Sequence, residues 1–240
     1  MGHIGSALSV ADILAALYGS GAMRGSIHHP DRDRLVMSKG HAALALYAAL
    51  HLAGHISVDE LRTFCTDATM LGVHPHHGLD GIDFSTGSLG HGLSIAAGAA
   101  LAARMQGSQR RVFVVISDAE CNEGSIWEAA MFAAHHRLQN LIAIVDVNGQ
   151  QALGYTEDVM SMEPFEDRWR SFGWDVHTVD GHDQEGLEKA IASLTEAQPH
   201  VLIARTTFGK GVGFMHGKIR WHYMPMSDDE FRLALQEIEA

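Results

Sequence analysis

The stretch RVFVVIS at 111–117 decides the fold. Between its polar ends it is an unbroken apolar run dominated by β-branched residues. Such a run marks a strand covered on both faces, as strands of parallel sheets are. A second run of the same kind, LIAIVDV at 141–147, comes after residues 125–137, which carry apolar positions at helical spacing. A strand, a crossover helix and a strand make a βαβ unit, right-handed by strong steric preference. The alternation continues outward in both directions. Upstream, 9–17 places Val10, Ile13, Leu14 and Leu17 on one helical face; 35–37 is a short strand candidate; 42–52, 58–64 and the Ala/Gly-rich 93–105 read as helices. Downstream, 174–179 and 201–206 read as strands around an amphipathic helix at 183–197, followed by an irregular 208–225 and a closing helix at 228–239. The expected fold class is α/β, an open and mostly parallel sheet with helices on both faces, in a single domain over 1–240.

Composition narrows the function classes. Hydrophobic residues make up 46% and charged residues 19% of the 240, which is a packed globule and not a disordered chain. The net charge is −12 with histidines neutral, and no Lys/Arg-rich run is present, which argues against a nucleic-acid or anionic-membrane partner. No stretch reaches the roughly 18 apolar residues of a membrane span. Two cysteines far apart, Cys65 and Cys121, are no disulfide framework, so a cytoplasmic location is expected. Seventeen histidines are more than solubility requires.

In open α/β sheets ligands bind beyond the carboxyl ends of the strands. There the sequence places Asp118 after the first run and Asn148, thirty positions later, after the second. If the two strands are neighbours, a carboxylate, an amide oxygen and a nearby main-chain carbonyl suit Mg²⁺, which takes few protein ligands and completes its shell with water and phosphate. Equally, Asp118 could cap the following helix and Asn148 could turn the chain with Gly149. The segment Thr86-Gly87-Ser88-Leu89-Gly90-His91-Gly92 precedes a helix, and its N-terminal N–H groups can face an anion. It closes a Gly/His/Pro/Asp-rich loop over 66–90, a length usually kept for function.

These segments together resemble transketolases. Asp118-Ala119-Glu120-Cys121-Asn122-Glu123-Gly124 followed by Asn148 looks like the thiamine diphosphate motif, Gly-Asp-Gly and then Asn about thirty residues on. Gly2-His3-Ile4-Gly5-Ser6-Ala7-Leu8-Ser9, Arg32-Asp33-Arg34-Leu35-Val36-Met37-Ser38-Lys39-Gly40-His41-Ala42, the Thr86–Gly92 loop and Trp221-His222 match further segments in the family's order. The resemblance is to the diphosphate-binding domain and covers essentially the whole chain. The family's pyrimidine-binding and C-terminal domains are expected to be absent, as in split transketolases. In that family a helix precedes the Gly-His segment; here Met1 abuts it.

The resemblance implies thiamine diphosphate and Mg²⁺ as cofactors, the metal held by Asp118, Asn148 and the Gln150 carbonyl. It implies that Leu89, Gly90, His41, Ala119 and His222 meet the cofactor. His3 and His74 would line the substrate channel, and His3 and His222 would move protons. Ketol transfer requires a proton taken from a sugar hydroxyl and later returned, which an imidazole does near neutral pH. Glu123 would face the activating glutamate of a partner chain, the C-terminal transketolase subunit, in an α2β2 assembly acting on a sugar or sugar phosphate. Asp146, near the end of the second run, either supports the metal site from behind or is a simple strand-end carboxylate. The pairs His28-His29 and His135-His136 receive no role, and His74-Pro75-His76-His77 lacks a second ligand pair at a zinc spacing.

Three departures stand out. Ser117 and Ala119 replace both glycines around Asp118, which matters if either position needs a positive φ. His91 stands where glutamine is common, and Ile4 replaces a usual proline. Ketol transfer between sugars is the leading expectation. The alternatives are thiamine-dependent acyl or acyloin transfer from a 2-oxo acid and a non-catalytic regulatory homologue, for which the lost glycines are the best support.

Overall fold

The computed structural model describes residues 3–195 and 197–239; Gly2 of the Gly-His segment lies outside them. The first part of the chain runs α1 (Ile4–Gly19), β1 (Arg34–Met37), α2 (Ala43–Leu52), α3 (Val58–Leu61), α4 (His91–Met105) and β2 (Val112–Ser117). It continues through α5 (Gly124–His135), β3 (Leu141–Val147), the hairpin strands β4 (Gln150–Gln151) and β5 (Gly154–Tyr155), α6 (Thr156–Met160) and α7 (Phe165–Ser171). The last elements are β6 (Asp175–Asp180), α8 (Gln184–Ala192), β7 (His200–Arg205) and α9 (Asp228–Glu239). The main sheet has the order β1-β2-β3-β7-β6, and all its pairings are parallel.

The period of two along each strand divides the core into two layers. Phe113, Val115, Ile142, Ile144 and Leu202 face one helix layer, where Val10, Leu14 and Leu17 of α1 meet Leu46 and Leu50 of α2 and Leu187 of α8. Val112, Val114, Ile116, Ala143 and Ile203 face the other, built from Leu93 and Ala97 of α4, Ile126 and Ala130 of α5, and Phe165 and Trp169 of α7. With helices on both sides, β2 is buried at every residue. A smaller cluster of Phe208, Val212, Met215, Trp221 and Ala234 fastens the C-terminal segment beside Ile4 and Leu8. Helices on both faces of a parallel sheet are the architecture predicted from the apolar runs.

Two helix predictions were too long. The one over 183–197 stops at Ala192, because the chain must turn and extend through Pro199 into β7. The one over 58–64 is one turn, Val58–Leu61, opened by a Ser57–Glu60 capping box and buried nowhere along its length. The helix predicted from Ala42 begins one residue later, after a 3₁₀ turn over Gly40–Ala42. The β4–β5 hairpin, α6 and α7 were not anticipated from the sequence. No described helix is long and apolar enough to cross a membrane.

Candidate active site at the carboxyl edge of the sheet

Strands β2 and β3 are neighbours, with Ser117 opposite Asp146, so Asp118 and Asn148 emerge at one edge. The Asp118 carboxylate is buried. Its Oδ1 accepts from the Ala119 N–H at 2.8 Å, and its Oδ2 accepts from the Gly149 N–H at 2.9 Å and the Thr156 hydroxyl at 3.1 Å. Asp118 therefore caps the 3₁₀ turn Ala119–Asn122 and at the same time reaches the loop after β3. Burial, and then the Asp146 charge, push its pKa up to about 6 against those hydrogen bonds. A carboxylate in that condition is one a cation would relieve.

The neighbouring Asn148 is aimed by what lies behind it. Its amide nitrogen donates to Asp146 Oδ2 at 3.1 Å and to Ser9 Oγ at 3.2 Å, which turns its Oδ1 the other way, where it accepts from the Gln150 N–H at 3.0 Å. Gly149 between them has φ 71°, the left-handed turn that Asn-Gly favours. The carboxylate, the amide oxygen and the hairpin start at Gln150 are thus brought together.

Two buried carboxylates hold this edge. Reasoning from sequence assigned the first a supporting part and the second none. Asp146 pairs with Lys39, both side chains fully buried, and also accepts from Ser9 Oγ at 2.6 Å and from the Thr206 hydroxyl. That joins the ends of β1, β3 and β7 to α1. Glu120, also fully buried, accepts from Ser38 Oγ, from the Gly90 N–H at 2.8 Å and from the Ser117 N–H at 3.3 Å. Burial raises its pKa, and these donors oppose the rise. Glu120 therefore ties the loop before α4 to the ends of β1 and β2. The signal for both is the Ser38-Lys39 pair just ahead of His41. Nothing in its spacing shows a partner 107 residues away.

Gly90 contributes differently from the simple expectation of a free N–H for an anion. Its N–H is taken by Glu120 and its carbonyl accepts from Ser125 Oγ at 2.9 Å. Its backbone has φ 87°, and a Cβ there would lie 2.5 Å from Ser125 Oγ and 2.7 Å from Glu123 Cβ. What glycine permits is the close seating of this loop on the exposed Glu123 at the start of α5. Leu89, before it, is partly exposed. The concern over Ser117 and Ala119 is resolved: neither is among the residues with positive φ, so the backbone here does not demand the family's glycines.

The predicted histidines converge on the same edge. His3, in a left-handed conformation ahead of α1, stands with ring centroids 5.0 Å from His41 and 6.2 Å from His222. Its N–H also donates to the His222 carbonyl at 3.2 Å, which fastens the two chain segments together. His41 shares a hydrogen bond with Ser6 Oγ at 3.0 Å. Burial, then the nearby Lys39, drive the His41 pKa down to about 2. Burial and His3 bring His222 to about 4, and burial with His74 lowers His3. His74 packs beside Gly87, where a Cβ would come within 3.3 Å of its ring, and shares a hollow with Thr86, Ser88 and His91. His76 stacks on His77, whose ring bonds Ser85, and these two stay apart from the cluster.

The site has the polarity of one built to hold a ligand rich in hydrogen-bonding atoms. Among the described residues, six buried side-chain polar atoms lack a partner, and three of them, His3 Nδ1, His222 Nε2 and Gln150 Oε1, belong to this edge. Buried polar atoms are rarely left so. With Asp118 and Asn148 beside them, the donor set fits a metal-held diphosphate and a polyhydroxylated substrate.

Comparison with known proteins identifies the family. The family described as "Transketolase, thiamine diphosphate binding domain" matches residues 1–238. The 6-deoxy-6-sulfo-D-fructose transketolase subunit SqwG of Clostridium sp. is 43% identical, over 100% of this chain and 89% of its own length. An apulose-4-phosphate transketolase subunit of Phocaeicola vulgatus is 42% identical, over 99% and 86%. The crystal structure of transketolase from Campylobacter jejuni superposes with a TM-score of 0.92 at 31% identity, covering 99% of this chain but 39% of that one. The chain thus spans most of the two subunits and about two-fifths of the longer enzyme. It belongs to the transketolase family, as a thiamine diphosphate-binding domain.

Proposed function

We propose that this chain, with a partner chain, transfers a two-carbon ketol unit from a ketose to an aldose. The partner is a C-terminal transketolase subunit that brings the pyrimidine-binding domain and its activating glutamate to Glu123, in an α2β2 assembly. Mg²⁺ is held by Asp118, Asn148 Oδ1 and the Gln150 carbonyl; Leu89, Gly90, Ala119, His41 and His222 surround the diphosphate side. When bound, thiamine diphosphate supplies the electron sink for breaking the carbon–carbon bond. His3 and His74 orient the sugar hydroxyls, and His3 and His222 take up and return the proton. The observation that carries this reading is the convergence of His3 and His222, each with an unpartnered buried nitrogen, with the His222 turn packed on the hairpin strand that begins at Gln150.

Two further observations support it. The relatives' names, 6-deoxy-6-sulfo-D-fructose and apulose-4-phosphate transketolase subunits, favour an anionic ketose and a second subunit. Leu153, Tyr155, Met160, Tyr223 and Met224 are each more than half exposed, and Tyr155 and Tyr223 reach across to the Gly217 and Ala152 carbonyls beside the site. Apolar surface gathered around a site suits a covering chain. Two free cysteines, one buried and one exposed, are compatible with work in the cytoplasm.

The test is a titration of thiamine diphosphate and Mg²⁺ into the assembled pair of chains, followed by an assay for ketose-dependent transfer to an aldose. Binding in the parent and its loss in Asp118→Asn are expected. Equal affinity in that variant would overturn the metal assignment, and a folded pair that binds no cofactor would overturn the reading as a whole.

A further inference from the structure

The opposite edge of the sheet carries a second cluster. Strands β6 and β7 start there, with Asp175 and His200 as register partners. Side chains two apart on a strand share a face, so His177 joins them. Asp175, His177 and His200 each offer one ligand atom, and the three atoms lie within 4.8 Å of one another, the one such group among the described residues. His177 Nε2 is 3.2 Å and His200 Nδ1 is 3.3 Å from the same oxygen, Asp175 Oδ2.

The buried member is oriented as a ligand. The His200 ring is 1% exposed, and its Nε2 lies 2.7 Å from the Thr195 carbonyl, to which it donates. In the neutral ring that leaves a lone pair on Nδ1, aimed at the Asp175 carboxylate, and Nδ1 makes no hydrogen bond among the described residues. A buried lone pair facing the oxygen of a half-buried carboxylate calls for a positive centre between them. A histidine that gives its other N–H to a main-chain carbonyl is also the usual arrangement behind a metal ligand.

We propose that Asp175, His177 and His200 bind a zinc-class divalent ion through Asp175 Oδ2, His177 Nε2 and His200 Nδ1. Two imidazoles and one carboxylate are a borderline ligand set that suits Zn²⁺, and three protein ligands leave the fourth tetrahedral position to water. The ion pins the edge strand β6 to β7 at their amino ends, the far end of the sheet from Asp118 and Asn148. It is separate from the cofactor and does not depend on the proposed activity.

The test uses the full chain, without a polyhistidine tag, stripped with a chelator and titrated with Co²⁺ as a spectroscopic probe. A single equivalent giving the intense visible bands of four-coordinate Co²⁺, displaced by Zn²⁺ and accompanied by a higher Tm, is expected. The bands should persist in the His76→Ala/His77→Ala double variant and in Asp118→Asn, and vanish in His177→Ala, a partly exposed position where loss of folding is not expected. A parent chain without these bands, or bands unchanged in His177→Ala, would overturn the proposal. Loss of the bands in Asp118→Asn would assign them to the other edge and overturn it equally.

Discussion

Lys39 and Asp146 form an ion pair in which both side chains are fully buried, and the same Asp146 oxygen that receives the ammonium receives the Asn148 amide. A buried ion pair and the orientation of Asn148, the proposed metal ligand, are therefore one object. Removing one partner of a buried pair leaves an uncompensated charge, which costs about 3–5 kcal/mol. Lys39→Ala is expected to lose stability on that scale in urea unfolding. Lys39→Met combined with Asp146→Leu removes both charges and should recover much of it. The double variant should bind thiamine diphosphate with Mg²⁺ more weakly than the parent, since Asn148 has lost one of the two groups that aim it. Recovery of affinity along with stability would show that the pair serves the fold alone.

Gly90 offers a sharper probe of the loop. Its left-handed φ and the contacts a Cβ would make with Ser125 and Glu123 both oppose any side chain. Gly90→Ala is expected to destabilise by at least about 1 kcal/mol, as alanine does at a positive φ. It should also push Glu123 away from its present seat. Association with the partner chain, followed by analytical ultracentrifugation, should weaken with it. Unchanged association would detach Glu123 from the interface.

His41 predicts an acid sensitivity with a definite sign. Its pKa lies near the ordinary imidazole value when unfolded and at about 2 when folded, because burial excludes the charged form. Above the unfolded value neither state is protonated and the group does not affect stability. As pH falls below that value the unfolded chain takes a proton that the folded chain refuses, so stability declines. Each such proton contributes about 1.4 kcal/mol per pH unit. His41→Gln keeps a neutral group able to bond Ser6 and removes one proton's worth of this slope. Chemical unfolding measured between about pH 7.5 and pH 5 should show a shallower decline in the variant. An identical slope would refute the neutral assignment. The same shift makes His41 a neutral hydrogen-bonding group beside Ser6.

Much of this edge was legible in the sequence, and the reason is local. The run at 111–117 is apolar at every interior position, and that at 141–147 at every one but Asp146, because helices cover both faces, so five strands could be read from pattern. Asp118 and Asn148 could be placed because each directly follows a strand. Glu120 and Lys39 could not be given their roles, since their partners come from other strands and from the loop before α4. His200 was missed for the same reason: Asp175 and His177 show a strand spacing, but only the β6–β7 register brings a third ligand from a distant segment. The helix expected to run to 197 ended early because amphipathic spacing says nothing about the turn that Pro199 and the entry to β7 impose.

The replaced glycines give the last expectation. Ser117 is the final residue of β2 and Ala119 opens a 3₁₀ turn, and neither has a positive φ. Conformation therefore does not require glycine at either place. The Ala119 N–H remains available to Asp118, at 2.8 Å, whatever its side chain. Ala119→Gly should then leave cofactor affinity unchanged in the assembled pair of chains. It should lower stability slightly, by up to about 1 kcal/mol, because glycine has more unfolded-state freedom to lose. Calorimetric titration and urea unfolding of the same preparation separate the two effects. A gain in affinity on restoring the glycine would mean that the alanine methyl obstructs the diphosphate, and would revive the regulatory-homologue alternative that the histidine cluster otherwise disfavours.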